Sequence, residues 1–233
     1  MKPEKKAIDM TRDEWAAYID HSVLKPEFTQ TEIKEQILKG IGFRCMTVCV
    51  NPSATDAAME MTAGMFTKVC VVCDFPFGLS DTASKVMQAE FICKKGVFEL
   101  DMVANYGWIK SAMWEKVKND IAAVNEVCKK YSVALKVILE TDALTADEIK
   151  KGAAAVANAG AAFVKSSTGF YTGGKSEGAT VEVVRAMLEG SEGRCKVKGS
   201  GGIRTRDHFL TLIDMGIDRM GVGYKSTPEI LGA

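Results

Sequence analysis

The chain has 233 residues, 47% of them hydrophobic, and its 30 lysines and arginines are matched by 30 aspartates and glutamates. That length suits one large α/β domain, or two small ones, with a substantial buried core. Balanced charge leaves no basic footprint for nucleic acid and no basic block for a membrane surface, and the apolar runs are too short to span a bilayer.

The N-terminal "MKPEKKAIDM" is charged and no apolar core follows it, so it does not read as a secretory signal. Residues 1–15 read as an N-terminal extension entering a helix. Residues 16–233 read as a single domain, because no Pro/Gly/Ser linker or composition shift divides them. Short apolar, β-branched runs recur at 16–22, 45–50, 68–75, 97–103, 134–140, 161–167, 195–201 and 218–223, the spacing of β-α units. Amphipathic helical segments lie between them. "TQTEIKEQILKGI" puts Ile33, Ile37 and Ile41 on one face, with Thr29 as cap and Glu32 three residues on. "SDTASKVMQAEFICKKG" opens on Ser-Asp and stops at glycine. "LTADEIKKGAAAVANAG" has Thr145 as cap, Glu148 three residues later and Gly160 as terminator, and "RTRDHFLTLIDMG" stops at Gly216. Strict alternation of strand and helix predicts a parallel sheet. Eight units predict an α/β fold of the (β/α)8 TIM-barrel type, in which chemistry sits at the C-terminal strand ends.

The seven cysteines are scattered, and Cys70 and Cys73, three apart in a strand-like run, should point to opposite faces. They fit free thiols in a reducing, cytoplasmic compartment better than a disulfide framework or a zinc site. Met59, Met61 and Met65 read as gap-filling core, and Trp108 and Trp114, at helical spacing, as core or interface. His21 either orients its neighbour Asp20 or is a hydrogen-bonded structural histidine.

Costly polar residues fall at the strand ends. Asp20 and His21 end the first run, Asn51 follows the second, Asp74 ends the third, and Asp101 sits inside the fourth. Glu140 and Thr141 end the fifth, Lys165 the sixth and Lys198 the seventh. If the strands close into a barrel, Asp101, Lys165 and Lys198 share one mouth. A desolvated lysine beside a second ammonium is disfavoured in its charged form, which yields the neutral amine that attacks a carbonyl to form a Schiff base. The carboxylate can hold the second lysine or move a proton through water. A lone strand-end lysine ordinarily reaches water instead, and Lys136 and Lys196, also in strands, are expected to be outward or peripheral.

The segments "YIDHSVLKP", "VCVNPS", "FELDMVANYG", "FVKSSTGF" and "KVKGSGGIR" together resemble deoxyribose-phosphate aldolase, in the right order from about residue 17 to the C-terminus. "KVILETDALT" and "GATVEVVRAM" are similar to segments of that family too. The resemblance implies a class I aldolase on a (β/α)8 barrel, which cleaves 2-deoxyribose 5-phosphate reversibly to glyceraldehyde 3-phosphate and acetaldehyde with no metal or other cofactor. It implies that Lys165 forms the Schiff base, that Lys198 tunes it, and that Asp101 joins a proton relay. It places Asp20 and Cys49 at the same mouth, with Thr168, Gly169, Gly201, Gly202, Gly221 and Gly223 as substrate contacts. It makes a homodimer the expected assembly.

Three departures stand out. In "RMGVGYKST", Gly223 and Tyr224 occupy positions that are serines in the family, leaving backbone donors, Lys225, Ser226 and Thr227 for a phosphate. "TGGKSEGAT" carries an insertion, either a solvated surface loop or a cover for the mouth. Gly199 stands where alanine is usual, a packing change. The altered turn keeps an unphosphorylated or different aldehyde open as substrate. A barrel that only binds a phosphorylated ligand is the third reading, and the Asp101, Lys165 and Lys198 set argues against it.

Overall fold

In the computed structural model, which describes residues 3–232, a 3-10 turn (Ala7–Asp9) and helix α1 (Arg12–Ala16) lead into strand β1 (Ile19–Val23). Then come α2 (Gln30–Gly42), β2 (Thr47–Val50), α3 (Thr55–Met61), β3 (Lys68–Cys73), α4 (Thr82–Cys93) and β4 (Glu99–Val103). The chain continues through α5 (Tyr106–Lys110), α6 (Trp114–Lys130), β5 (Ala134–Ile138), a 3-10 turn (Thr141–Ala143), α7 (Ala146–Asn158) and β6 (Phe163–Lys165). It ends with α8 (Val181–Ser191), β7 (Lys196–Ser200), α9 (Arg206–Asp214), β8 (Arg219–Gly223) and α10 (Ser226–Leu231). Each strand pairs in parallel with the next, and β8 closes on β1, giving the (β/α)8 barrel that the alternation predicts.

Local signals set most helix ends. Thr29 and Thr145 each accept from the amide three residues on, while Glu32 and Glu148 reach back to the cap amides, two complete capping boxes. Asp81 caps α4 by accepting from Ser84 N at 2.8 Å. The first strand begins at Ile19 rather than at residue 16, because α1 and its cap take up the preceding residues. Asp20 therefore lies near the start of β1, not at its end.

Alternation along each strand divides the core. Val48, Val71, Leu100, Leu135, Val164, Val197 and Met220 face outward and pack with the helices in one large apolar layer. Fully burying each such side chain stabilises the fold by about 1.5–3 kcal/mol. Trp108, Trp114, Met59 and Met61 pack partly buried against this layer, but Met65, past the end of α3, is exposed. Cys70 joins a small cluster inside the barrel, whereas Cys73 belongs to the outer layer. No helix among the described residues is long and apolar enough to cross a membrane.

His21 also points outward, away from Asp20. Its Nδ1 lies 2.8 Å from Thr227 Oγ1 on α10, so it has the structural role. Burial, helped by Lys39, pushes its pKa down to about 4. An unfolded histidine titrates near about 6.5, so the unfolded chain takes up this proton first. The stability that neutral His21 contributes is full above about pH 6.5 and is lost as pH falls toward about 4, by about 3 kcal/mol. Urea unfolding of wild type and His21→Gln across that window should show the loss in wild type and a flatter profile in the variant.

Candidate active site

The inward faces of the strands carry charge. Asp20 comes from β1, Glu99 and Asp101 from β4, Lys136 from β5, Lys165 from β6, Lys198 from β7 and Arg219 from β8. Register sets Asp101 beside Lys136, Lys165 beside Lys198, and Lys198 beside Arg219. Asp101 is the shared partner. Its Oδ2 accepts from Lys165 Nζ at 2.8 Å and Lys198 Nζ at 2.7 Å, and its Oδ1 from Lys136 Nζ at 2.8 Å and Cys70 Sγ at 3.1 Å. Lys198 Nζ also donates to Asp20 Oδ2 at 2.5 Å. Below, Lys136 pairs with Glu99 at 2.6 Å, and Arg219 Nη1 bridges Asp20 (2.7 Å) and Glu99 (3.0 Å).

All seven residues are buried. Burial by itself would raise the carboxyl pKa values, but Lys136, Lys165 and Lys198 outweigh it and hold Asp101 well below the ordinary range. Asp20 is held down the same way by Lys136, Lys198 and Arg219. Burial would lower the ammonium groups, yet Asp101 and Asp20 keep Lys136 and Lys198 raised. Four cations thus face three carboxylates, and loss of one proton brings the set to balance.

Above this cluster opens a cavity of about 280 Å³, and Lys165 is the lysine of the cluster on its wall. Thr168 and Gly169 after β6, Gly201 and Gly202 after β7, and Gly221 and Gly223 of β8 line the same cavity. Asp20 and Cys49, expected at the mouth, are fully buried inside the barrel and are not part of this wall. The expectation for Lys136 is overturned. It is fully buried and bound to Asp101 and Glu99, because its parity in β5 turns it inward. Lys196 is exposed at the start of β7, peripheral as expected.

The other strand-end residues support the loops. Asp74 accepts from Ser80 N at 3.0 Å and Ser80 Oγ at 2.7 Å and lies 3.7 Å from the buried Lys85, fixing the turn after β3. Asn51 Nδ2 donates to Leu24 O at 3.3 Å. Glu140, at φ 59°, accepts from Thr168 Oγ1 and from Thr168 N at 3.3 Å, and Phe170 N returns to Thr168 Oγ1 at 2.9 Å. Burial raises the Glu140 carboxyl pKa. Thr141 Oγ1 lies 2.9 Å from Ser167 Oγ.

In the altered turn, Tyr224 stays on the cavity wall with its ring edge-on to Phe28 at 5.0 Å. Ser226 also reaches the wall, but Thr227 is committed to His21. Lys25 and Arg204 bring positive charge to the same cavity, a contribution that strand-end reasoning missed because both lie in loops. The inserted "KSEG" residues do not line it. A methyl group at Gly199 would sit 2.9 Å from Ile217 Cδ1, so glycine here relieves a tight contact.

Cys49, Cys70 and Asp101 come within reach of one another, as do Asp20, Cys70 and Glu99. The carboxylates in both sets already bind ammonium or guanidinium groups, so a metal cation there would have to displace Lys136 or its neighbours.

Residues 15–225 match the model of the DeoC/LacD family of aldolases, and the chain belongs to that family. It is 41% identical over 204 residues to deoxyribose-phosphate aldolase 1 of Staphylococcus aureus strain MSSA476, an alignment covering 88% of this chain and 90% of that one. It is 40% identical over 212 residues to a deoxyribose-phosphate aldolase of Mannheimia succiniciproducens, covering 91% and 92%. The tetrameric deoxyribose phosphate aldolase of Aeropyrum pernix superposes with a TM-score of 0.85 at 25% identity, covering 95% of this chain and 91% of that one.

Two outcomes follow from the charge cluster. Lys136→Met leaves Glu99 and Asp101 short of a counter-charge and should lower stability by about 3–5 kcal/mol in urea unfolding. The depressed pKa values of Asp20 and Asp101 contribute stability that is full above the unfolded value of about 3.9 and lost as pH falls below it. Acid titration of Asp101→Asn followed by circular dichroism should therefore show a weaker dependence below about pH 4 than wild type.

Proposed function

We propose that the protein is a class I aldolase that reversibly cleaves 2-deoxy-D-ribose 5-phosphate to D-glyceraldehyde 3-phosphate and acetaldehyde through an imine on Lys165. The observation that carries the reading is the position of Lys165 Nζ, on the cavity wall and 2.8 Å from a carboxylate that also binds Lys198. Lys136 and Lys198 are each tied to two or more carboxylates, and Lys165 to one. Lys165 is thus the amine free to react.

The neutral amine adds to the C1 aldehyde, and loss of water gives an iminium ion. The C3 hydroxyl then loses its proton, the C2–C3 bond breaks, and its electron pair flows into the iminium. Glyceraldehyde 3-phosphate leaves and an enamine remains on Lys165. Protonation of the enamine carbon and hydrolysis release acetaldehyde and restore the amine. We assign the proton transfers to and from the reacting carbon and oxygen to Asp101, which meets Lys165 Nζ at 2.8 Å, with Lys198 behind it at 2.7 Å, through water. The glycine-rich end of the cavity, with Lys25 and Arg204, suits the phosphate.

All seven cysteines are free thiols, which suits a cytoplasmic setting. The Aeropyrum pernix relative is tetrameric, and we expect this chain to self-associate, at least as a homodimer.

Borohydride reduction in the presence of 2-deoxyribose 5-phosphate, with peptide mapping, should place a reduced adduct on Lys165 and none in Lys165→Met. Plain 2-deoxyribose should label weakly. Equal labelling by both sugars would point to an unphosphorylated substrate, and no adduct on Lys165 would remove the imine mechanism.

A further inference from the structure

The inserted loop stands off the cavity, yet it is held on both sides. Asp142, in the turn after β5, accepts through Oδ1 from the amides of Glu177 (2.8 Å) and Gly178 (2.9 Å), and through Oδ2 from Ser176 Oγ (3.0 Å). Opposite Asp142, the segment lies flat on the turn after β7. Ala179 N donates to Gly201 O at 3.0 Å. A Cβ on Gly178 would sit 2.2 Å from the Gly201 carbonyl carbon, and one on Gly202 would sit 2.3 Å from Glu177 O. Gly178, Gly201 and Gly202 all have left-handed backbone, with φ of 70°, 79° and 72°. Backbone therefore packs on backbone with no room for a side chain.

The Gly201–Gly202 turn faces the cavity, and no acceptor among the described residues takes the Gly202 or Ile203 amide. With Gly223 ending β8 and Tyr224 after it, the short hydroxyls at this end of the cavity reduce to Ser226 beyond them. More of the contact then falls to amides, and an amide cradle binds tightly only when its backbone is already held in place.

We propose that Asp142 and Ser176–Gly178 are positioning elements that brace the Gly201–Gly202 turn for the substrate's phosphate, and so set the preference for phosphorylated over unphosphorylated substrate. This rests on the deoxyribose 5-phosphate reading above. Asp142 touches no substrate; it acts through the inserted segment.

The test compares wild type, Asp142→Ala, Asp142→Asn, Ser176→Ala and Gly178→Ala as full chains. It measures kcat and KM for cleavage of 2-deoxyribose 5-phosphate and of 2-deoxyribose, and competition by inorganic phosphate. Asp142→Ala should raise KM for the ester about tenfold with little change in kcat, and weaken phosphate competition by a similar factor. Its kcat/KM on 2-deoxyribose should stay within about twofold of wild type. Gly178→Ala should act in the same direction and more strongly. Asp142→Asn, which keeps the oxygen that takes both amides, should recover most of the loss. Parallel losses on both sugars, or no loss on either, would overturn the inference while a wild-type preference for the ester left the substrate reading intact. A wild type with no such preference and no phosphate competition would overturn both. If Asp142→Ala does not fold, Ser176→Ala is judged by the same split between the two sugars.

Discussion

The Asp101 carboxylate holds the inside of this barrel together. Three ammonium groups from three successive strands converge on its two oxygens, and a thiol adds a fourth donor. A buried carboxylate is tolerable only when its partners are in place, and each buried ammonium is tolerable only when a carboxylate meets it. Removing any member strands the others. The strands that carry them must therefore keep their register, because a one-residue slip would turn every charge into the apolar outer layer.

Rigidity of this kind suits chemistry at a single amine. Lys136, Arg219, Glu99 and Asp20 form a floor of fixed charge beneath Asp101. Lys198 links that floor to the mouth through Asp20 and Asp101, and Lys165 alone of the three lysines reaches the cavity. The ordinary solution, a barrel filled with branched apolar side chains, would offer no such proton inventory. Above the floor, the turn after β5 organises the mouth. Glu140 holds the loop bearing Thr168 and Gly169, and Asp142 holds the inserted segment that lies against Gly201 and Gly202. Two carboxylates two residues apart thus hold the near and far parts of the one loop that joins β6 to α8.

Fold class was legible because its signals are local. Capping boxes at Thr29 and Thr145, glycine stops at Gly160 and Gly216, and the regular return of short β-branched runs need only neighbours in sequence. Lys165, Lys198 and Asp101 were legible because an ionisable group in an apolar strand is costly wherever it points, and the order of motifs around them resembled one family. Membership of the DeoC/LacD aldolases was thus within reach of the residues alone.

What the residues could not say is which face of each strand lies inside. Both faces of a barrel strand are buried, so hydrophobicity does not separate them, and Lys136 read as outward until register with Asp101 placed it. Glu99 and Arg219 drew no notice, since each is an ordinary charged residue until strands far apart in sequence bring them to Asp20 and Lys136. His21 and Thr227, and likewise Asp142 and Gly178, are partners only across the closed fold. Sequence by itself determined the elements, their order and the ionisable residues Asp101, Lys165 and Lys198 that the barrel gathers. Tertiary structure alone decided which charges neutralise one another and which lysine meets the cavity, because pairing across a closed sheet depends on register between strands that no local stretch encodes.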